Sequence, residues 1–212
     1  MSIAESVAKE LLRIKAVFLR PDNPFTWASG IKSPIYCDNR LTLSDVKARK
    51  VVEESIAETV KENFPEVEIL MGTSTAGIAH AAIAAWLLNL PMGYVRGGNK
   101  DHGRGNRIEG KLEPGQKVVV IEDLISTGGS CVEVVEALRE AGAVVLGVVS
   151  IFTYGMKKGL DRLKNADVVN FSLSNFDTLC KVAVDEKYIS PEDELKLKKF
   201  MANPSDESWM KA

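Results

Sequence analysis

The chain has 212 residues, enough for one sizeable domain with a well-buried core. Apolar residues make up 45% and charged residues 26%, and the net charge of −2 gives no global basic field that would point to nucleic acid. Three scattered cysteines without a CxxC pair exclude a disulfide framework and a cysteine zinc site, and they fit a reducing cytosol.

The opening "MSIAESVAKELLRIKAV" carries Glu5 and Glu10 among its apolar residues and reads as an amphipathic helix, not a signal peptide. "NPFTWASGIKSPIYCDNR" is turn-rich and aromatic, which predicts a small hood over the rest of the fold. A helix is expected over roughly 43–64. From residue 67 onward apolar runs alternate with helical patterns. Strands are predicted over 67–72, 91–96, 117–121, 143–152 and 167–174. Helices are predicted over 78–89 and 130–142, the second ended by Gly142. Two more close the chain, over 175–186 and 190–201. The tail "NPSDESWMKA" is expected to be poorly ordered. Strands that are apolar throughout, separated by helices, imply an α/β fold with a parallel sheet flanked by helices on both faces. The run "AAIAAWLLNLPMGYV" is broken by Pro91 and Gly93 and reads as helix, turn and strand, not as a membrane span. The expectation is a single domain over 1–212, with a hood at about 1–60 and a core at about 61–212. It is expected to be cytoplasmic and to bind neither membrane nor nucleic acid.

In open α/β sheets, ligands bind at the carboxyl ends of the strands. That rule brings the segments 72–77, 97–110 and 122–130 to one rim. In "VVVIEDLISTGGS", residues 118–130, two acids follow four apolar residues and precede Ser126, Thr127, Gly128, Gly129 and Ser130. Free N–H groups and the helix dipole from 126 to 130 favour an anion. No Lys follows the second Gly, so this is not a P-loop, and the acids precede the glycines, unlike a dinucleotide fingerprint. A ligand that suits both halves is a phosphorylated sugar. Carboxylates accept from ribose hydroxyls while N–H groups hold the 5′-phosphate. On composition alone the stretch also suits a solvated acidic turn and a helix cap, and "GTSTAG" (72–77) also suits a plain turn. The segment "GGNKDHGRGNRIEG" (97–110) holds five glycines with Lys100, Arg104, Arg107 and His102, which suits either a cationic lid over a polyphosphate or a surface insertion.

"VVVIEDLISTGGS" resembles the phosphoribosyl pyrophosphate (PRPP) motif of type I phosphoribosyltransferases, and "GTSTAG" sits where that family has its pyrophosphate loop. "YVRGGNKDHGRGNRIEG" and "FTWASGIKSPIYCDNR" resemble the catalytic loop and base-binding hood of the orotate-specific members. The resemblance spans essentially the whole chain. It implies transfer of ribose 5-phosphate from PRPP to orotate, giving orotidine 5′-monophosphate and pyrophosphate in pyrimidine biosynthesis. Mg²⁺ is implied, entering mainly through PRPP, and so is a homodimer that shares its sites across the interface. Residue by residue, it implies that Glu122 and Asp123 face the ribose hydroxyls and that Leu124, Ile125 and residues 126–130 complete the PRPP contact. Arg96, Lys100 and His102 would contact pyrophosphate, with Lys100, His102 and Asp123 catalytic. Ser126, Lys32 and Tyr36, with Ser33 nearby, would contact orotate.

The chain departs from some relatives where they carry Lys: here stand Gly97, Ala28 and, in the pyrophosphate loop, Thr75 and Ala76. No Arg follows "SIFTYG", so orotate's carboxylate must find another partner, with Lys32 or hood N–H groups as candidates. Cys37 and His80 are read as packing residues. A purine phosphoribosyltransferase would share the PRPP motif but lack the orotate-type loop and hood. A PRPP-sensing nucleic-acid-binding regulator on the same fold should show a basic face.

Overall fold

In a computed structural model, residues 1–26, 30–98 and 107–211 are described. The chain begins with α1 (Ile3–Arg13), whose Ser2 and Glu5 form a reciprocal capping box. Four short strands follow: β1 (Val17–Leu19), β2 (Phe25–Thr26), β3 (Lys32–Ser33) and β4 (Ile35–Cys37). They pair as two antiparallel ribbons, β1 with β4 and β2 with β3, and form the hood expected from the turn-rich sequence. A 3₁₀ segment, Asn39–Ser44, leads to α2 (Val46–Asn63). Asp45 caps α2 by accepting from Ala48 N–H at 2.9 Å and also takes an Arg13 guanidinium at 2.6 Å, which locks α1 to α2.

The core alternates strand and helix: β5 (Ile69–Thr73), α3 (Ala76–Leu88), β6 (Met92–Val95), β7 (Ile108–Glu109), β8 (Lys117–Ile125), α4 (Gly129–Glu140), β9 (Val144–Thr153), α5 (Lys157–Asn165), β10 (Asn170–Asn175), α6 (Phe176–Asp185) and α7 (Pro191–Ala202). The sheet order is β10-β9-β8-β5-β6-β7, with every pairing parallel except β6–β7. All five core strands expected from sequence are present. Two elements were not expected: the antiparallel edge strand β7 and helix α5.

Alternation along β8 divides the core. Val119 and Ile121 pack with Leu70, Val149 and Ile151 under α1, α2, α3, α6 and α7. Val118 and Val120 pack with Ile69, Met71 and Val148 under α4. Successive residues point to opposite faces, so a strand covered on both faces must be apolar at every position. The tail corrects the sequence expectation. Residues Glu207–Lys211 form a 3₁₀ turn that buries Trp209 to 1% exposure, its ring 5.7 Å from that of Phe200. One large aromatic supplies enough apolar area to hold an otherwise polar segment. Among the described residues no helix is long and apolar enough to cross a membrane.

Candidate active site

Three strand ends meet on one edge of the sheet, as the sequence predicts. β5 passes through Ser74 and a cis peptide to Thr75 into α3, β6 ends just before Arg96, and β8 runs on to Ile125. β5 leaves the ladder first: its last partner on β8 is Ile121. β8 keeps β9 beside it as far as the Ile125–Thr153 pair. Glu122 and Asp123 therefore belong to a strand with one neighbour gone. The strand predicted over 117–121 thus runs on through the acids to Ile125. Ile125, 2% exposed, anchors the strand end in the core and holds the ladder past the acids.

The Asp123 peptide, with no β5 beside it, is satisfied by side chains. Its N–H donates to Glu122 Oε1 at 2.9 Å, and its carbonyl accepts from Asn39 Nδ2 at 2.6 Å. Glu122 is 4% exposed, and its Oε1 also accepts from Thr73 Oγ1 at 2.7 Å. Its Oε2 is buried with no partner among the described residues. Burial, and after it the neighbouring Asp123 carboxyl, push Glu122 up to about 8, against the pull of the Thr73 and Asp123 hydrogen bonds. Asp123 itself is half-buried, the more open of the two acids. The Thr73–Glu122 bond joins the loop after β5 to the acids of β8. Gly77 makes that approach possible, since a Cβ there would collide with the Ile121 carbonyl oxygen and stand 2.5 Å from Thr73 Oγ1.

Past Ile125, Ser126 is half-buried, while Thr127 and Ser130 are exposed. Gly128 adopts φ 69°, a left-handed conformation that suits glycine, and ends the turn as the cap of α4. Gly128 offers no side chain to cap α4, so its first N–H groups take no bond from the N-cap residue. Arg162 of α5 braces the turn from behind by donating to the Thr127 carbonyl at 3.1 Å. A groove of about 760 Å³ between α4 and α5 runs along this rear side. It mixes Lys157, Lys158 and Arg162 with Glu133, Glu136 and Asp161, so its charges offset and it does not match a polyphosphate.

At the end of β6, Arg96 Nε lies 3.0 Å from Glu109 Oε1, and its N–H donates to the Arg107 carbonyl. Gly97 N–H donates to Ser74 Oγ at 2.8 Å, tying the start of the cationic segment to the loop after β5. Lys100 and His102 lie outside the described residues, as does Ala28. In the hood, Lys32 Nζ donates to Thr26 Oγ1 at 2.8 Å. Tyr36 is 41% exposed, its ring 5.5 Å from that of Phe25. Ser33 is fully buried and its hydroxyl is occupied by the Ile35 carbonyl, so it braces the hood. Cys37 and His80 are both buried: Cys37 Sγ contacts Asn39 Oδ1, and His80 Nδ1 lies 2.6 Å from Glu53 Oε1 between α2 and α3.

Sequence reasoning missed Thr73, Asn39 and Arg162. Thr73 stands inside "GTSTAG", where nothing in the sequence separates it from the other small residues of the loop. Asn39 follows the hood strands in a segment whose polar residues look solvated, and Arg162 lies on the helix that was not expected.

The phosphoribosyl transferase domain family matches residues 40–185 of this chain. A Listeria innocua protein named orotate phosphoribosyltransferase is 58% identical over 211 residues, spanning 100% of both chains. A Bacillus cytotoxicus protein of the same name is 56% identical over 98% of this chain and 99% of its own. Among solved structures, orotate phosphoribosyltransferase from Aeropyrum pernix superposes with a TM-score of 0.75 at 29% identity, over 87% of this chain and 99% of that one. UMP synthase from Leishmania donovani gives a TM-score of 0.80 at 25% identity, over 94% of this chain and 42% of its own.

Proposed function

The chain belongs to the phosphoribosyltransferase family, and from that premise we propose that it transfers the ribose 5-phosphate of PRPP to orotate, forming orotidine 5′-monophosphate and pyrophosphate in pyrimidine biosynthesis. The observation that carries the choice of base is the 58% identity, over the full length of both chains, to a protein named for that reaction. A purine base is not favoured. An adenine phosphoribosyltransferase structure matches at 21% identity, a level that speaks for the fold alone.

In the reaction the bond from the anomeric carbon to pyrophosphate breaks, a ring nitrogen of orotate bonds to that carbon, and the proton of that nitrogen passes to the departing pyrophosphate or to water. Asp123 accepts from the ribose hydroxyls at the open end of β8. Glu122 is assigned the same role behind it, with its Oε1 held by Thr73. The N–H groups from Ser126 to Ser130 take the 5′-phosphate. Ser74, Thr75 and Arg96 face the pyrophosphate, joined by Lys100 and His102. These groups stabilise the charge that develops on the leaving group, and the acids accompany the cationic ribosyl centre. Lys32, Tyr36 and Ser126 bound the orotate pocket, and Lys32 supplies the cation for its carboxylate.

Among the described residues no group of three carboxylate, imidazole or thiolate side chains could hold a metal by itself. The half-buried Asp123 carboxylate beside a diphosphate substrate would suit Mg²⁺, which binds through one or two carboxylates plus substrate phosphates. When bound, Mg²⁺ offsets the charge of the leaving pyrophosphate. A homodimer is supported by α3, which leaves Trp86 80% and Leu87 42% exposed on an apolar helix.

Purified protein with Mg²⁺ and PRPP should consume orotate, followed by its near-ultraviolet absorbance, and should leave adenine and hypoxanthine unchanged. Turnover confined to a purine would overturn the choice of base. Lys100→Ala should raise the barrier by about 3–4 kcal/mol with an unchanged thermal midpoint. Wild-type turnover in that variant would refute its role.

A further inference from the structure

We propose that Asn39 is a positioning residue that fixes the ribose-binding acid Asp123 from the hood. The proposal rests on the reading of the β8 rim as the PRPP site. Asn39 is 1% exposed at the start of the 3₁₀ segment that follows the hood strands. Both ends of its amide are engaged. Nδ2 donates to the Asp123 carbonyl at 2.6 Å, and Oδ1 accepts from Cys37 Sγ at 3.2 Å. Only one orientation of the amide serves both, because a carbonyl cannot donate and a buried thiol is the donor available. Burial pushes the Cys37 thiol up, so it stays protonated and keeps that role. The backbone of Asn39 is tied as well, its carbonyl accepting from Thr42 Oγ1 at 2.6 Å.

The acceptor is what gives this contact a functional meaning. A central strand residue normally has its carbonyl set by the ladder. Asp123 has lost β5, whose last partner on β8 is Ile121, so the orientation of its peptide depends on side chains. Asn39 holds the Asp123–Leu124 peptide by its carbonyl while Glu122 holds the Glu122–Asp123 peptide by its N–H, so the φ and ψ that aim the Asp123 side chain are set from both sides. The same residue is two positions from Cys37 and three from Tyr36 on the base-facing hood strand. The hood thus sets the ribose acid as well as bounding the base pocket.

The test pairs Asn39→Leu, similar in volume but without the donor, with Thr42→Val. Thr42 is fully buried, and its loss removes a bond to Asn39's backbone while sparing the Asp123 contact. Wild-type turnover with orotate reports on the reading of the site, and the ratio of variant to wild type reports on Asn39. Thermal midpoints are recorded, and kinetic constants for both substrates are measured at a temperature where wild type and every variant are folded. Leaving the Asp123 carbonyl unsatisfied should lower kcat/KM for PRPP by roughly tenfold or more. KM for orotate should stay within about twofold, and Thr42→Val should keep its PRPP parameters despite a lowered midpoint. Asn39→Gln, which retains a donor, should recover part of the loss. An unchanged kcat/KM for PRPP in Asn39→Leu would overturn the proposal. So would an effect confined to KM for orotate, or equal PRPP losses in the Asn39 and Thr42 variants.

Discussion

The β8 rim and the hood solve the same problem by different means. The rim is an extension of the sheet. β9 carries it, Gly77 lets the α3 turn close on it, and Arg162 braces its far end. The hood consists of two antiparallel ribbons whose strands are only two or three residues long, supplemented by aromatic contacts and by single side-chain hydrogen bonds such as Lys32–Thr26. A region built on backbone ladders and close glycine packing tolerates little change in shape. A region of short ribbons, each with only a few ladder bonds, tolerates more, and what it loses shows in binding before it shows in folding. The rim therefore suits the fixed chemistry of a ribose phosphate, and the hood suits the choice of a base.

The largest expected effect separates chemistry from folding on the rim itself. Asp123→Asn should raise the barrier by about 3–4 kcal/mol, comparable with loss of one preorganised charge in a closed site. Its thermal midpoint should stay near that of wild type, because Asp123 is half-buried and its peptide contacts remain. Turnover within threefold of wild type would show that the acid does not meet the ribose. Next comes Gly77→Ala, which forces a methyl group against the Ile121 carbonyl and Thr73. It should destabilise by about 1–3 kcal/mol in a denaturant titration. A neutral result would mean that the approach of α3 to β8 is looser than the geometry states.

A third prediction concerns pH. Glu122 is raised in the folded protein, from an ordinary 4.5 to about 8, so the folded state holds an extra proton between those values. Its contribution to stability is fully present below pH 4.5 and is lost as pH rises through about 8. Glu122→Gln, which cannot ionise, should therefore gain stability relative to wild type as pH goes from 5 to about 8. Parallel stability curves for the two proteins would contradict this. The smallest effect belongs to the hood. Thr26→Val removes the exposed acceptor of Lys32 and should change KM for orotate by less than about tenfold, the scale of one hydrogen bond, with no measurable change in melting. A large melting shift would erase the contrast between the two regions.

Much of the rim was legible because its signal is contiguous. An apolar strand, two acids and a small-residue turn lie within residues 118–130, and strand-end loops gather on one edge by topology alone. What was not legible depends on contacts distant in sequence. The length of β8 past the acids is decided by β9, and the Thr73–Glu122 and Asn39–Asp123 bonds span 49 and 84 positions. Helix α5 escaped detection because "KKGLDRLKN" buries only Gly159 and Leu163 and carries a glycine in its interior. The tail was misread because a lone Trp209 in a polar segment has no period to reveal its burial.

The most direct measurement is a ³¹P NMR time course of the wild-type protein with PRPP, Mg²⁺ and orotate. The PRPP resonances should give way to pyrophosphate and one new phosphomonoester in equal amounts, and only when orotate is present. Unchanged PRPP, or pyrophosphate released equally without orotate, would contradict the assignment of the β8 rim and hood to ribosyl transfer onto that base.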